Sequence, residues 1–218
     1  EIIRKVNVDG SRNIAECAVE NSVEKMVYVG TASTFGFGTM ENPGTEKNSY
    51  ISDKYGMDYM DSKYEAHKMM LDFASKGLNV SIVNPTFMIG AYDSGPSSGA
   101  MIVALYKGKV PGYTNGGRNY IYVKDAAGGI ANAITMGKKG ECYIIGHENL
   151  SYKDAFEKIS GALGVKAPSR RVPDWFMLTY GRCSSMAAKL SGKAPAVSYN
   201  LAMIGIDKHY FSAKKAIE

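Results

Sequence analysis

The sequence predicts an α/β fold in which crossover helices connect the strands of a parallel sheet. Residues 25–29 and 79–83 are the short, nearly continuous apolar runs expected of strands that are buried on both faces. Residues 8–20 and 57–75, which precede these runs, place their apolar side chains at helical spacing instead. The repeated order of helix and strand indicates a parallel sheet.

Weaker patterns define the remaining elements. Residues 36–55 and 91–98 are rich in Gly, Pro, Asn and Ser and are predicted to be loops. Pro85, which follows the second strand, is expected to end the pairing of that strand because proline has no N–H to donate. The later predicted elements are a helix at 100–106, a strand at 120–123, a helix at 126–136, a third strand of the sheet at 141–145, helices at 151–163 and 172–190, and a final helix after Ser212.

The composition argues against several classes of protein. The 218 residues carry a net charge of +5, but Lys and Arg are scattered and balanced by Asp and Glu, so no nucleic-acid partner is expected. The three cysteines and three histidines are far apart. We therefore expect neither a disulfide framework nor a metal site, and a reducing, cytoplasmic setting is the simplest one.

A membrane partner is also not expected. The sequence contains no recognisable signal peptide and no apolar run long enough to span a bilayer. The stretch from Trp175 to Tyr180 is apolar but short, and we expect it to pack inside the protein.

Tyr59 and Lys63 are the candidate catalytic pair. On a helix they lie one turn apart on the same face, and the ammonium is expected to lower the pKa of the phenol from its usual value of about 10. Such a phenol can give or take a proton near neutral pH. The spacing alone is weak evidence, because Y-x-x-x-K occurs five times. The other pairs, expected to lie at the surface, are Tyr50/Lys54, Tyr64/Lys68, Tyr120/Lys124 and Tyr210/Lys214.

The surrounding sequence distinguishes the first pair from the others. Thr31 follows the first strand, Tyr59 and Lys63 lie on the next helix, and residues 84–86 follow the second strand. The carboxyl ends of parallel strands meet at one edge of the sheet, where α/β proteins bind ligands. A hydroxyl, a phenol and a cation can together polarise one carbonyl group at that edge.

Five segments resemble, in order, the motifs of one enzyme superfamily. The segments are NVDGSRN at 7–13, VYVGTASTFG at 27–36, YMDSK at 59–63, NPTFMIG at 84–90 and YIYVKDA at 120–126. Together they resemble the extended branch of the short-chain dehydrogenases/reductases, the NAD-dependent epimerase/dehydratase family. Residues 111–113 and 143–150 are similar to those of dihydroflavonol-reductase-like and hopanoid-associated sugar-epimerase-like proteins.

The resemblance implies a role for each matching residue. Tyr59 would be the catalytic acid or base, Lys63 would lower its pKa and hold the nicotinamide ribose, and Thr31 would hydrogen-bond the substrate oxygen. The implied contacts to the cofactor, NADP or NAD, come from Val29, Tyr59, Lys63, Pro85, Thr86 and Ile89. Asn7 would tie a helix to the active-site edge.

The chain departs from the family pattern at several points. Gly30 replaces a small hydroxyl residue, and His67 stands where the family usually has Glu. No G-x-G-x-x-G or G-x-x-G-x-x-G loop, which would cradle the cofactor pyrophosphate at a helix N-terminus, occurs in the sequence. In the family this loop lies upstream, so the chain is expected to lack roughly the first 80–95 residues of a doubly wound sheet. The residue that distinguishes NAD from NADP would be missing with them.

The expected architecture is the C-terminal part of a Rossmann-type doubly wound parallel sheet with a small, mostly helical substrate domain. Residues 1–90 and 119–148 are assigned to the dinucleotide-binding domain, and residues 91–118 and 149–218 to the substrate-binding portion. By itself such a chain is expected to bind dinucleotide poorly, because a sheet edge would be exposed.

The leading functional hypothesis is an NAD(P)-dependent oxidoreductase that reduces a ketone or aldehyde, or oxidises the alcohol. A nucleotide-sugar epimerase with tightly bound NAD is an alternative on the same fold, and a non-catalytic dinucleotide-binding protein is an alternative from another class. The substrate cannot be named from the sequence. The resemblance also suggests a homodimer formed by a four-helix contact of the helices at 8–20 and 57–75.

Overall fold

Helices and short strands alternate along the chain in the computed structural model, which describes residues 1–95, 97–195 and 197–218. The helices are α1 (Ile2–Arg4), α2 (Gly10–Glu20), α3 (Asp58–Ser75), α4 (Gly99–Tyr106), α5 (Val123–Thr135), α6 (Tyr152–Leu163), α7 (Asp174–Ser191), α8 (Tyr199–Ile206) and α9 (Lys214–Ile217). The strands are β1 (Met26–Val29), β2 (Val80–Pro85), β3 (Phe87–Ile89), β4 (Gly117–Tyr122), β5 (Cys142–Ile145), β6 (Glu148–Ser151) and β7 (Lys208–His209). A π-helical turn at Lys5–Asp9 joins α1 to α2.

The larger sheet is parallel and has β2 at its centre. Val80 of β2 pairs with Met26 of β1, and Ile82 of β2 pairs with Cys142 of β5. The strand order β1-β2-β5 brings the carboxyl ends of β1 and β2 to one edge. The predicted α/β class with a parallel sheet and connecting helices is confirmed.

Both faces of the larger sheet are covered by helices. Val80 and Ile82 point into one apolar cluster, which includes Ala15 of α2 and Met70 of α3. Alternate residues of β2 point the other way, so Val83 packs with residues of α5 and β5 in a second cluster. Burial on both faces explains why these strands are apolar without alternation.

A smaller sheet joins β3, β4 and β6, and β7 pairs with β4. Strands β3 and β7 run parallel to β4, whereas β6 runs antiparallel to it. The sequence predicted β4 but missed β3, β6 and β7, because β3 and β7 have only three and two residues and β6 lacks the apolar run that reveals β1 and β5. The proposed domain division, which places most of β4 with the dinucleotide-binding part, stays a prediction.

The expectation that Pro85 ends the pairing of β2 is wrong. Pro85 is the last residue of β2 and lies opposite Ile145 of β5. The next residue continues the ladder, since the Thr86 amide donates to the Ile145 carbonyl at 2.9 Å. A proline at the end of a strand loses only its own N–H, so the sheet tolerates it there.

The expectation that residues 175–180 pack inside the protein is also wrong. Trp175 is 69% exposed, and Phe176 and Tyr180 are exposed as well. These side chains lie on the outward face of α7, whose inward face meets α8. Within the parts of the chain that the structure describes, none of the helices is both long and apolar enough to cross a bilayer.

Gly30 makes room for the buried side chain of Asn84. A Cβ atom added at Gly30 would lie 2.5 Å from Asn84 Oδ1, closer than side-chain atoms approach one another. Asn84 is fully buried in β2, so its amide has little space into which it can move. The glycine that departs from the family pattern is therefore required by the asparagine on the neighbouring strand.

We expect Gly30→Ala to lower the free energy of unfolding by about 1–3 kcal/mol, because the new methyl group overpacks the strand pair. The double variant Gly30→Ala with Asn84→Ala should lose less unfolding free energy than the two single variants lose together. Denaturant unfolding of the parent, the two single variants and the double variant would measure this difference. Gly128→Ala is the matched control, since a Cβ there meets nothing within 4 Å and Gly128 lies inside α5. Additive effects at Gly30 and Asn84 would contradict the steric explanation.

His67 lies on the buried side of α3 and has no charged partner among the described residues. Its Nε2 lies 3.7 Å from Cys142 Sγ, and its ring meets the Phe35 ring edge-on at 5.2 Å. Burial lowers the pKa of His67 to about 4, and the nearby Asn84 side chain opposes part of the shift. Among the described residues Nδ1 has no hydrogen-bond partner of good geometry. The imidazole is therefore neutral in the folded protein at physiological pH.

We expect His67 to make the protein less stable as the pH falls from about 6.5 to 4, because the unfolded chain binds a proton there that the folded chain excludes. One such group costs about 3 kcal/mol of unfolding free energy over this range. His67→Leu should remove that part of the pH dependence, measured by urea unfolding at pH 7 and pH 4.5. If the unfolding free energy of the variant fell by as much between pH 7 and pH 4.5 as that of the parent protein, His67 would not be the source of the pH dependence.

Candidate active site

Tyr59 and Lys63 lie in the first two turns of α3, as the sequence predicted. Gly56 turns the chain with a positive φ of 57°, and α3 begins two residues later. Asp58 and Asp61 in the first turn favour a helix start, because negative charge complements the helix dipole. The Tyr59 side chain is 45% exposed and Lys63 is half-buried, so both can reach a bound molecule.

Thr31 follows β1 and begins a 3-10 turn at Ala32–Thr34. The Gly30 amide donates to the Val83 carbonyl at 2.8 Å, so the ladder between β1 and β2 holds the chain up to Thr31. Thr31 Oγ1 accepts a long hydrogen bond, 3.4 Å, from the Ser33 amide. Because this bond uses only a lone pair, the hydroxyl proton of Thr31 is free to be donated elsewhere.

The carboxyl edge of the larger sheet brings the main candidates into one region. Thr31 extends from β1, Pro85 ends β2, and α3 packs against the turn at Ala32–Thr34. Val29, the last residue of β1, is also exposed at this edge. The candidates therefore share an edge although 54 positions separate Thr31 from Pro85.

The expected lowering of the Tyr59 pKa is wrong for this structure. Burial raises the pKa of the Tyr59 phenol above its usual value, and burial lowers the pKa of the Lys63 ammonium. Loss of water disfavours the charged form of each group, and spacing of one helical turn does not overcome that cost. At neutral pH the Tyr59 hydroxyl is therefore protonated and suited to donate a proton.

A short relay fixes the first turn of α3. Asn7 Nδ2 donates to Ser62 Oγ at 2.9 Å, and Ser62 Oγ donates to the Tyr59 carbonyl at 3.0 Å. Asn7 lies in the π-helical turn, an irregularity that often marks functional regions. The expectation that Asn7 ties a helix to the active-site edge is confirmed.

Two of the other Tyr and Lys pairs form contacts outside the candidate site. Tyr50 donates to Asp61 at 2.7 Å, whereas Lys54 pairs with Asp207 at 2.7 Å. Lys68 lies over the Tyr64 ring, 4.8 Å from its centre. These contacts agree with the positions near the surface expected for those two pairs. The same expectation is wrong for Tyr120 and Tyr210, whose side chains are buried in the core.

The Thr86 hydroxyl is already engaged within the protein. It donates to Asn119 Oδ1 at 2.8 Å, and the same oxygen accepts from the His147 amide at 3.0 Å. Asn119 is buried, so this link connects the end of the larger sheet to the smaller one. Ile89 lies one element further on, in β3, opposite Tyr122. The predicted cofactor contacts of Thr86 and Ile89 remain predictions.

Tyr28 is a neighbour of the site that the sequence did not single out. Burial raises the pKa of the Tyr28 phenol, and the proximity of Tyr59 adds to the shift. Among the described residues the Tyr28 hydroxyl has no hydrogen-bond partner of good geometry. In the sequence Tyr28 is one aromatic residue in an apolar strand, so no pattern could reveal it.

The residues present fit the nicotinamide end of a dinucleotide. In the described parts of the chain neither the Tyr59 hydroxyl nor the Lys63 ammonium forms a hydrogen bond or ion pair, so both can serve a ligand. The chain offers no glycine-rich turn for a pyrophosphate. Across residues 1–95, 97–195 and 197–218, no group of three acidic, His or Cys side chains could hold a metal ion.

Comparisons with known proteins agree with this architecture. A model of the NAD dependent epimerase/dehydratase family matches residues 1–146. A protein of Synechocystis sp. named "Putative dihydroflavonol 4-reductase" is 33% identical over 225 residues, which cover 100% of this chain and 65% of that protein.

Solved structures share the fold. The crystal structure of gox2253 superposes with a TM-score of 0.83 at 32% identity, over 99% of this chain and 66% of that one. A nucleoside-diphosphate-sugar epimerase from Pseudomonas aeruginosa, PA4631, superposes with a TM-score of 0.75 at 24% identity, over 96% of this chain and 66% of that one. The chain thus spans about two thirds of the length of these relatives.

Proposed function

Because this chain belongs to the NAD dependent epimerase/dehydratase family, we propose that it takes part in hydride transfer between NAD or NADP and a carbonyl or alcohol substrate. The favoured reaction is reduction of a ketone or aldehyde. The observation that carries the proposal is the position of the Tyr59 hydroxyl, which has no hydrogen-bond partner among the described residues and lies one turn from Lys63 at the carboxyl edge of a parallel sheet.

Each of the three candidate catalytic residues has a distinct task. Thr31 donates a hydrogen bond to the substrate carbonyl oxygen and polarises it. Tyr59 donates its phenolic proton to the same oxygen as negative charge develops there. Lys63 then stabilises the resulting phenolate, because an ammonium one turn away favours the charged form once it exists.

The cofactor would be held at the same edge. Lys63 would contact the nicotinamide ribose, and the nicotinamide end would lie against Val29, Pro85, Thr86 and Ile89. When bound, the nicotinamide supplies or accepts the hydride. The half-buried position of Lys63 favours this assignment, since a partly desolvated ammonium gains from a polar partner.

The reductase name of the Synechocystis relative favours reduction over epimerisation. The Tyr59 hydroxyl suits either reaction, because a phenol is protonated at neutral pH and can donate its proton in both. The fold does not discriminate, because the Pseudomonas aeruginosa epimerase shares it. A nucleotide-sugar substrate therefore remains the alternative, and a non-catalytic role is disfavoured because Tyr59 and Lys63 are both present.

A homodimer is a further part of the proposal. Ile14 and Val19 lie exposed on α2, beside α3. A two-fold contact between α2 and α3 of two copies would bury both side chains in a four-helix arrangement.

We expect Tyr59→Phe to lower turnover by a hundredfold or more, roughly the contribution of general acid catalysis. Affinity for NADPH should remain largely intact, because the ring stays in place. The measurement is steady-state reduction of a panel of ketones and aldehydes together with cofactor binding. Tyr64→Phe is the matched control, since Tyr64 lies on the same helix one turn from Lys68 and should keep full activity. Full activity in Tyr59→Phe would refute the assignment.

We expect a substrate of this protein to consume NADPH or NADH in equal molar amount, because reduction transfers hydride permanently to the product. The measurement compares the loss of nicotinamide absorbance with product formed, by mass spectrometry. An epimerase returns the hydride, so sugar isomerisation without net cofactor consumption would contradict the reductase and favour the alternative.

A further inference from the structure

Helix α7 presents an apolar surface to solvent. At 3.6 residues per turn, the uncharged exposed side chains between Trp175 and Leu190 fall within an outward arc of about 140°. The members of this arc are Trp175, Phe176, Thr179, Tyr180, Cys183, Met186, Ala187 and Leu190. None of them is charged, and the hydroxyl of Thr179 is turned back onto the Trp175 carbonyl at 2.8 Å. We call these eight residues the α7 arc.

The opposite side of α7 is fixed against α8, so the α7 arc cannot turn inward. Gly181 is buried at this contact, where an added Cβ would lie 2.8 Å from the Ala202 Cβ. The Tyr199 amide of α8 also donates a hydrogen bond to Ser185 Oγ of α7 at 2.9 Å. Close packing on one side leaves the large apolar side chains on the other, with Leu190 89% exposed.

The segment that contains the α7 arc is strongly basic. Residues 164–206 contain six basic side chains and one acidic side chain, that of Asp174. The net charge of this segment is therefore +5. The six cations, all exposed, are Lys166, Arg170, Arg171, Arg182, Lys189 and Lys193. Arg182 and Lys189 lie at one border of the arc. In the described parts of the chain none of the six forms an ion pair.

We propose that the α7 arc is a docking surface for an anionic lipid bilayer. Tryptophan, tyrosine and phenylalanine on one face of a helix, with cations at its border, are the features of helices that lie in the membrane interface. Lys and Arg near such a surface are attracted by the negative potential of anionic lipids. The helix would lie on the bilayer rather than cross it.

Two other occupants fit the surface less well. A second copy of the chain would bring two segments of charge +5 together, and like charges oppose that contact. A specific protein partner would need a surface complementary to a strongly basic segment, whereas an anionic bilayer offers apolar chains and negative charge together. Contact of this kind needs neither a spanning segment nor a signal peptide, the two features whose absence argued against a membrane partner.

The test uses Trp175, the only tryptophan in the sequence, as an intrinsic probe. The purified protein is mixed with vesicles of phosphatidylcholine alone or with about one third phosphatidylserine, which supplies the negative surface potential. We expect a blue shift of Trp175 emission and at least about tenfold stronger binding with the anionic vesicles, reversed by high salt. Sedimentation with the vesicles measures the bound fraction.

Variants that keep Trp175 separate the two contributions. Phe176→Ser with Leu190→Ser removes apolar area, and Arg182→Gln with Lys189→Gln removes charge. Each pair should lower vesicle binding by about tenfold or more. Val103→Ser with Tyr106→Ser on α4 is the control, because both side chains are exposed and apolar but lie outside the arc. All of these positions are exposed, and far-UV circular dichroism checks that each variant is folded.

The proposal is overturned if Trp175 emission is unchanged by anionic vesicles, or if the control pair weakens binding as much as the α7 pairs. It is also overturned if a blue shift grows with protein concentration in the absence of lipid, since a second copy would then cover the arc. Neither result depends on catalysis, so this test is independent of the proposed function.

Discussion

The burial of β2 on both faces is the constraint on which the rest of the structure depends. All six residues from Val80 to Pro85 are buried, and the strand pairs with β1 and β5 at once. Polar groups in such a strand need partners or space. Ser81 therefore bonds a carbonyl of α5, and Asn84 fills the space that Gly30 leaves. The register that follows brings Thr31 and Pro85 to one edge.

The chemistry of that edge is governed by the loss of water around it. Partial burial keeps Tyr59 protonated and weakens the hold of Lys63 on its proton. The Tyr59 hydroxyl is therefore suited to donate a proton. The hydrogen bonds from Asn7 through Ser62 hold this part of α3 in place, so the π-helical turn and the first turns of α3 form one unit.

The α7 arc shows a different use of apolar side chains. In the larger sheet such residues stabilise the fold by contacting one another, whereas in α7 they face solvent because Gly181 allows the opposite side to pack closely on α8. Large exposed apolar surfaces commonly mark binding sites, because their burial removes apolar area from water. The hydrophobic effect thus stabilises the core of the larger sheet and, at the α7 arc, favours contact with another apolar surface.

The sequence by itself determined the α/β class, the strands at the centre of the larger sheet, the helix that carries Tyr59 and Lys63, and the resemblance to one family. These depend on local periodicity and on motifs that are contiguous in the chain. Only the tertiary structure decided the raised pKa of Tyr59, the smaller sheet, the engagement of the Thr86 hydroxyl by Asn119 and the outward direction of Trp175. Burial and long-range pairing set these features, because they depend on neighbours that are distant in sequence.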